Sequence, residues 1–387
     1  MKKIGLLPRI IIAIGLGIII GYISPEWLIK IFATFNGLFG NFLGFAIPLI
    51  IIGFIAPGIG TMGRGAGKLL GVTAGLAYGS TIIAGLVAFL AASTLYPALL
   101  KNQSFASFAN PEEALLSGYF QVDMPPIMGV MTALLLAFTL GLGMAALKNN
   151  ALLHVMNDFR AIVEKLIEKV IIPLLPIHIF GIFSNMTFGG QVGDIMSVFA
   201  KVFVMIIALH ILYLVLQYSI AGTVSKRNPF RLLKDMTPAY FTALGTQSSA
   251  STIPVTLMHT KKIGARTKTA DFSVPLLATI HLSGSTITLV SCAIAVMMLQ
   301  GQTITFTAIL PFILMLGVTM IAAPGVPGGA VMAALGLLET MLSFDSTMLS
   351  LMIALYLAQD SFGTACNVTG DEAIAVITDR VSKTEPA

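Results

Sequence analysis

Eight stretches of this chain, at about 4–23, 28–58, 69–99, 124–147, 151–186, 198–223, 268–299 and 346–378, stay apolar over the roughly 20 residues a helix needs to cross a bilayer. That recurrence restricts the fold more than any other feature. Inside hydrocarbon every backbone N–H and C=O must find its partner within the protein, which leaves the α-helix as the form for such segments. The expectation is an all-α polytopic membrane protein with eight transmembrane segments. Composition agrees: 56% of the 387 residues are hydrophobic, 10% are charged, and mean hydropathy is +0.93. A soluble domain carries about 25% charged residues. The net charge of +5 is no nucleic-acid signature, because the basic residues sit in short loops between apolar spans. Met1-Lys2-Lys3 precedes an apolar run without a small-residue cleavage site, so it is read as opening a retained first span. Cys292 and Cys366 lie in apolar segments without metal-ligand spacing.

Two further stretches, about 237–260 and 304–340, are apolar but broken by Ser, Gly and Pro. Loops 63–68, 225–235 and 261–268 hold ten of the 22 Lys and Arg residues, whereas loops 24–27, 100–123, 187–197 and 300–303 hold one, Lys101. The excess of Lys and Arg on cytoplasmic loops then places both termini in the cytoplasm, provided the broken stretches enter and leave on one side. They are read as re-entrant hairpins with tips at 246–254 and 323–329. The competing reading is two ordinary Gly/Pro-kinked spans. Each hairpin precedes a span interrupted by polar residues, 279–286 after the first and 360–371 after the second. Such a doubled unit, entering from opposite faces, is an inverted repeat and points to a site near the midplane.

The last span carries the densest chemistry. Asp360, Thr364, Asn367 and Asp371 are spaced +4, +3 and +4. They therefore form one narrow helical stripe, roughly 16 Å long. A carboxylate at membrane depth costs at least about 2.5 kcal/mol by insertion scales, so the stripe is expected to face a polar cavity with a cation or charged solute. At the first tip, Ser248, Ser249, Ser251 and Thr252 gather hydroxyls and freed N–H groups, a seat for a carboxylate. A catalytic serine is the rival, since His259 and His281 are present, but no Gly-x-Ser-x-Gly elbow accompanies it. At the second tip, Gly325, Gly328 and Gly329 permit tight backbone whose carbonyls suit a hard cation. His281, inside an apolar span, is a candidate proton carrier or a hydrogen-bonded strut. His154, His178 and His210 are assigned no role. Tyr78, Ser80 and Thr81 are candidates to face the site, and Pro173 and Pro176 are expected to bend the fifth segment.

These pieces, in order, resemble the dicarboxylate/amino acid:cation symporters, the glutamate transporter family. The likeness rests on Ser248-Ser-Ala-Ser-Thr-Ile-Pro-Val-Thr256, the Thr279-Ile-x-x-x-Gly284 interruption, Ala323-Pro-Gly-Val-Pro-Gly328 and Asp360…Asn367-Val-Thr-Gly-Asp371. The resemblance implies a homotrimer in the cell membrane, with scaffold helices in 1–68 and 100–186. A transport domain, 69–99 and 187–387, would move like an elevator. It implies no enzymatic activity and no cofactor, with sodium as a co-transported ion. By the same resemblance Asp360 pairs with a substrate α-amino group, Asn367 and the backbone around Ser249 hold its α-carboxylate, and Thr364 lines the pocket. Asp371 and Asn367 contribute to one sodium site. Carbonyls near Thr279, Met320, Ile321 and Ala323 form another.

Departures from the family pattern shape the expected substrate. Acidic-amino-acid members have an arginine where this chain has Gly363, so no guanidinium offers a bidentate partner to a side-chain carboxylate. A neutral amino acid is expected instead. The family's Asn-Met-Asp-Gly-Thr string reads His281-Leu-Ser-Gly-Ser285, which removes a carboxylate and an amide from the cation sites. At least one sodium site is expected to be altered, and proton coupling stays open. A dicarboxylate symporter is disfavoured because Asp360 would repel a dianion. From another class, a passive anion channel remains a rival.

Overall fold

The computed structural model describes residues 6–62, 68–99, 115–190, 192–323 and 328–382, and among these it contains helices and no strand. The first half comprises α1 (Leu6–Ile23), α2 (Glu26–Met62), α3 (Lys68–Leu99) and α4 (Val130–Ala146). Next, α5 (Ala151–Leu166) runs through a π turn (Ile167–Ile171) into α6 (Ile172–Phe188). Pro173 has no N–H and its ring would strike the carbonyl four residues back, and the wider π turn just ahead of it takes up the misfit. The long α7 (Val192–Ser225) leads through a short α8 (Pro229–Asp235) to the polar half of the chain.

That half is a sequence of broken helices. It contains α9 (Thr237–Thr246), α10 (Ser249–Lys262), α11 (Thr267–Ile280), α12 (Ser283–Leu299), α13 (Phe306–Ile321), α14 (Gly329–Leu342) and the 36-residue α15 (Ser346–Val381). At 1.5 Å per residue α9 and α10 reach only about 15 and 21 Å, too short for a hydrocarbon core of about 30 Å. They pack on each other, as α13 and α14 do, so both broken stretches fold back as hairpins. The first tip is tighter than the sequence suggested. Only Gln247, in a left-handed conformation, and Ser248 separate the two helices. Thr252, Thr256 and Thr260 turn their hydroxyls onto carbonyls one turn back, so this serine- and threonine-rich stretch stays helical. Of the second tip, 324–327, and with it Gly325, lies outside the described residues.

Five runs are long and apolar enough to cross a membrane: Glu26–Gly60, Leu69–Leu99, Ala151–Phe188, Met196–Ser225 and Thr267–Leu299. Three of the eight expected spans fall short of that measure among the described residues. Pro8–Ile23 and Leu135–Ala146 are shorter, and the polar stripe lowers the hydropathy of α15. Helices α1, α2, α4, α5 and α6 pack mainly on one another. Around α15 gather α3, α7, α9, α10, α11 and α12, with α13 against α3 and α14 bridging to α2. The 360–371 stripe lies on one continuous helix, as its +4, +3 and +4 spacing predicts. α15 runs unbroken and is buried along nearly its whole length.

Candidate substrate and cation site

A cavity of about 260 Å³ lies where the helix breaks meet. Its wall includes Ser249, Thr279, Ser285, Asp360, Thr364 and Asn367. Three helix N-termini end there, those of α10, α12 and α14, contributing Ser249, Ser285 and Ala330 to the wall. Two helix C-termini end there as well, at Thr279 of α11 and Ala323 just past α13. Freed N–H groups at the former favour negative charge, and freed carbonyls at the latter favour positive charge. An uninterrupted bundle has no such arrangement. This one offers both polarities within one small space.

Two side chains of the stripe hold the breaks in place. The Asp360 Oδ2 accepts the Gly328 N–H at 2.7 Å, tying the second hairpin to α15. The Asn367 Oδ1 accepts the Gly284 and Ser285 N–H groups at 2.7 and 3.1 Å, while its Nδ2 donates to the Ser285 Oγ at 2.9 Å. Asn367 thus caps α12 from another helix, because Leu282 at the N-cap position has no side-chain acceptor. Asp360 and Asn367 are 7% and 2% exposed, so whatever meets them does so away from bulk water.

The fourth residue of the stripe is elsewhere. Asp371 does not line the cavity, and its Oδ1 accepts from the His281 Nδ1 at 2.8 Å. The other ring nitrogen meets the Ser80 Oγ at 2.9 Å, and Ser80 in turn meets the Tyr213 hydroxyl and the Gln217 Nε2, each at 2.9 Å. A Cβ on Gly370 would come within 2.7 Å of the Gln217 Oε1 and 3.0 Å of the His281 Cε1, so the network is packed directly against the α15 backbone. One oxygen of the carboxylate expected as a sodium ligand is therefore bonded to an imidazole. His210, assigned no role from sequence, braces the same break, with Nε2 3.0 Å from the Gly284 carbonyl.

The remaining expected residues divide as follows. Thr279 and Ala323 reach the cavity, whereas Met320 and Ile321 form the buried and half-buried end of α13 beside it. Ser248 is not on the wall. Its hydroxyl accepts the Ser251 N–H at 3.3 Å as the cap of α10, which leaves no poised nucleophile. Gly363 is also off the wall and buried, and a Cβ there would rest in van der Waals contact with Ser285, 3.5 Å from its backbone nitrogen.

Four polar wall residues were missed from sequence. Tyr356 lies one turn before Asp360, extending the stripe. Its hydroxyl makes no hydrogen bond but stands close enough to Asp360 and Ser285 to interact with both. Gln247 donates to the Ser361 Oγ at 2.9 Å. Arg160 and Glu164 come from α5, paired at 3.0 Å, with the Arg160 guanidinium 5.2 Å from the Phe54 ring centroid. The i, i+4 spacing of the pair was the available signal, on a helix that also carries His154, Asp158 and Lys165.

Comparison with known proteins now bears on the whole chain. Serine/threonine transporter SstT of Acinetobacter baumannii strain AYE is 26% identical over 98% of this chain and 97% of its own length. SstT of strain ATCC 17978 is 25% identical over the same shares. These relatives are transporters rather than enzymes. The sodium:dicarboxylate symporter profile matches residues 6–381, which takes in both hairpins, the cavity and the α15 stripe, and the chain belongs to the sodium:dicarboxylate symporter family.

Proposed function

We propose that the protein imports a small neutral amino acid of the serine/threonine type together with sodium, across the cell membrane. One observation carries this reading. A buried carboxylate, Asp360, shares a cavity of about 260 Å³ with three helix N-termini and two helix C-termini. The α-ammonium meets Asp360, and the α-carboxylate meets the N–H groups opening α10 and the Asn367 amide. Sodium sits against freed carbonyls of α11 and α13 near Thr279, Met320, Ile321 and Ala323, with the second hairpin closing over it. Asp371, held by His281, ligates no sodium in this scheme.

The side chain is read by what is missing. No arginine stands at Gly363, and the one guanidinium on the wall, Arg160, is already paired with Glu164. An acidic side chain finds no free cation there, whereas a hydroxyl finds Thr364 and Ser285. The SstT relatives support the same substrate class.

Movement follows the packing. Helices α1, α2 and α4 to α6 act as a scaffold within a homotrimer, with both termini cytoplasmic, and the elements around α15 slide past them as an elevator. Arg160 and Glu164 belong to the scaffold, so they close the cavity in one position of that travel only.

Proteoliposomes given a sodium gradient, or separately a proton gradient, test the reading. Sodium is expected to drive accumulation of labelled serine, with threonine competing and aspartate not competing. Uptake driven by the proton gradient alone would replace sodium with a proton. Equilibration without accumulation under either gradient would indicate a passive pathway.

A further inference from the structure

At the end of the protein away from this cavity, a second pocket of about 340 Å³ opens between α8 and the end of α10. Its wall carries Arg227, Arg231 and Lys262, with Asn228 between them and one carboxylate, Asp235. The surrounding basic residues are differently placed. Lys261 pairs with Asp271 at 2.5 Å and Arg266 with Asp379 at 2.6 Å. Among the described residues Arg227, Arg231 and Lys262 form no ion pair. Three cations thus share the wall with a single carboxylate, Asp235, which leaves the pocket with an excess of positive charge.

The pocket is also held in shape. The Arg227 N–H bonds the Gly222 carbonyl at 2.9 Å, and the Asn228 side chain caps the Phe230 and Arg231 N–H groups at 3.0 and 3.2 Å. Lys226, just before, is left-handed, which turns the chain sharply out of α7. The Arg227 guanidinium lies over Gly264, where a Cβ would come within 2.7 Å of Nη2. Gly264 has φ +84° and follows the last turn of α10, so glycine both makes that turn and leaves the guanidinium its seat.

Position decides which anion this suits. The 30-residue apolar run Met196–Ser225 ends one residue before Lys226, so the pocket sits where a membrane span leaves the bilayer, on the side the basic loops mark as cytoplasmic. Phe230, beside Arg231, is 69% exposed, and Phe241 is 64% exposed. The exposed Phe230 ring next to the Arg231 guanidinium, where a span ends, matches a ligand with an acyl region and a negative headgroup.

We propose that this pocket binds the phosphodiester headgroup of an anionic phospholipid, with Arg227, Arg231 and Lys262 as its ligands and Phe230 resting among the acyl chains. Free phosphate shares the headgroup chemistry but gains nothing from the exposed ring. The site joins α7 to the first hairpin, so a lipid held there loads the same elements that surround the cavity.

Thermal unfolding of the full-length protein in uncharged detergent tests this, titrated with dioctanoyl phosphatidylglycerol, dioctanoyl phosphatidylcholine or inorganic phosphate. Phosphatidylglycerol is expected to raise Tm by roughly 3 °C at saturation, with little effect from the other two. Arg227→Gln, Arg231→Gln and Lys262→Gln should each weaken the apparent affinity about fivefold, since one cation near an anionic lipid contributes about 1 kcal/mol. Arg227→Lys should retain most of it, which separates lost charge from damaged folding. An unchanged affinity in all three glutamine variants would overturn the site. An equal shift with phosphate would overturn the lipid assignment, and an equal shift with phosphatidylcholine would overturn the role of charge.

Discussion

Asp360 and Asp371 lie on one face of one helix, eleven residues apart, and look equivalent in the sequence. The structure places them in opposite circumstances. Asp360 lines a cavity and bonds the Gly328 backbone through a single oxygen. Asp371 sits in a closed network with His281, Ser80, Tyr213 and Gln217 behind it. A carboxylate that keeps an open side is equipped to take a ligand, and one whose partner is another side chain is equipped to hold helices together. The same residue type on the same helix face meets two different surroundings, set by what the neighbouring helices present.

The contrast is broken most sharply by Asp360→Asn. Asparagine keeps an acceptor for the Gly328 N–H but loses the charge that meets an ammonium, so amino-acid uptake should fall at least about 30-fold with Tm little changed. A loss of folding equal to the loss of uptake would make Asp360 a structural residue. His281→Gln should do the reverse. Leaving the buried Asp371 carboxylate without its donor costs about 1–3 kcal/mol, so Tm should drop clearly while the ranking of substrates in a competition assay stays the same. Combined with Asp371→Asn it should add little further, because both remove one interaction.

Gly370→Ala sharpens the same point from the packing side. Its Cβ would enter the space of Gln217 and His281, at an overpacking cost of roughly 1–3 kcal/mol, and the effect should appear in stability before transport. Gly363→Arg is the smallest expected change in fold and the most informative about selectivity. The first carbon fits against Ser285, and an added guanidinium should shift competition toward aspartate. An unaltered preference would mean that this position does not read the side chain.

Much of this was legible before any coordinates. The helix period alone puts Asp360, Thr364 and Asn367 on one face, and the Ser, Gly and Pro breaks mark the hairpins that pack against α15. Periodicity reports which residues share a face, however, and says nothing of what lies opposite. Asp371 was placed in a sodium site with Asn367 by resemblance to the family, and its bond to His281, 90 positions earlier in the chain, is visible only in the structure. Arg160 and Glu164 were passed over for a related reason, since only tertiary packing brings α5 to the cavity. The tip at 246–254 was drawn too wide because serine and threonine read as loop formers, whereas here they bond their own helix and prolong it.

Direct binding of serine to purified protein in sodium-containing buffer, measured by calorimetry for Asp360→Asn beside Asp371→Asn, separates the two carboxylates most directly. Loss of detectable binding in Asp360→Asn, with Asp371→Asn within about tenfold of the native protein, is the predicted result. Serine binding that survives in Asp360→Asn and vanishes in Asp371→Asn would contradict the assignment of the ammonium to the cavity carboxylate.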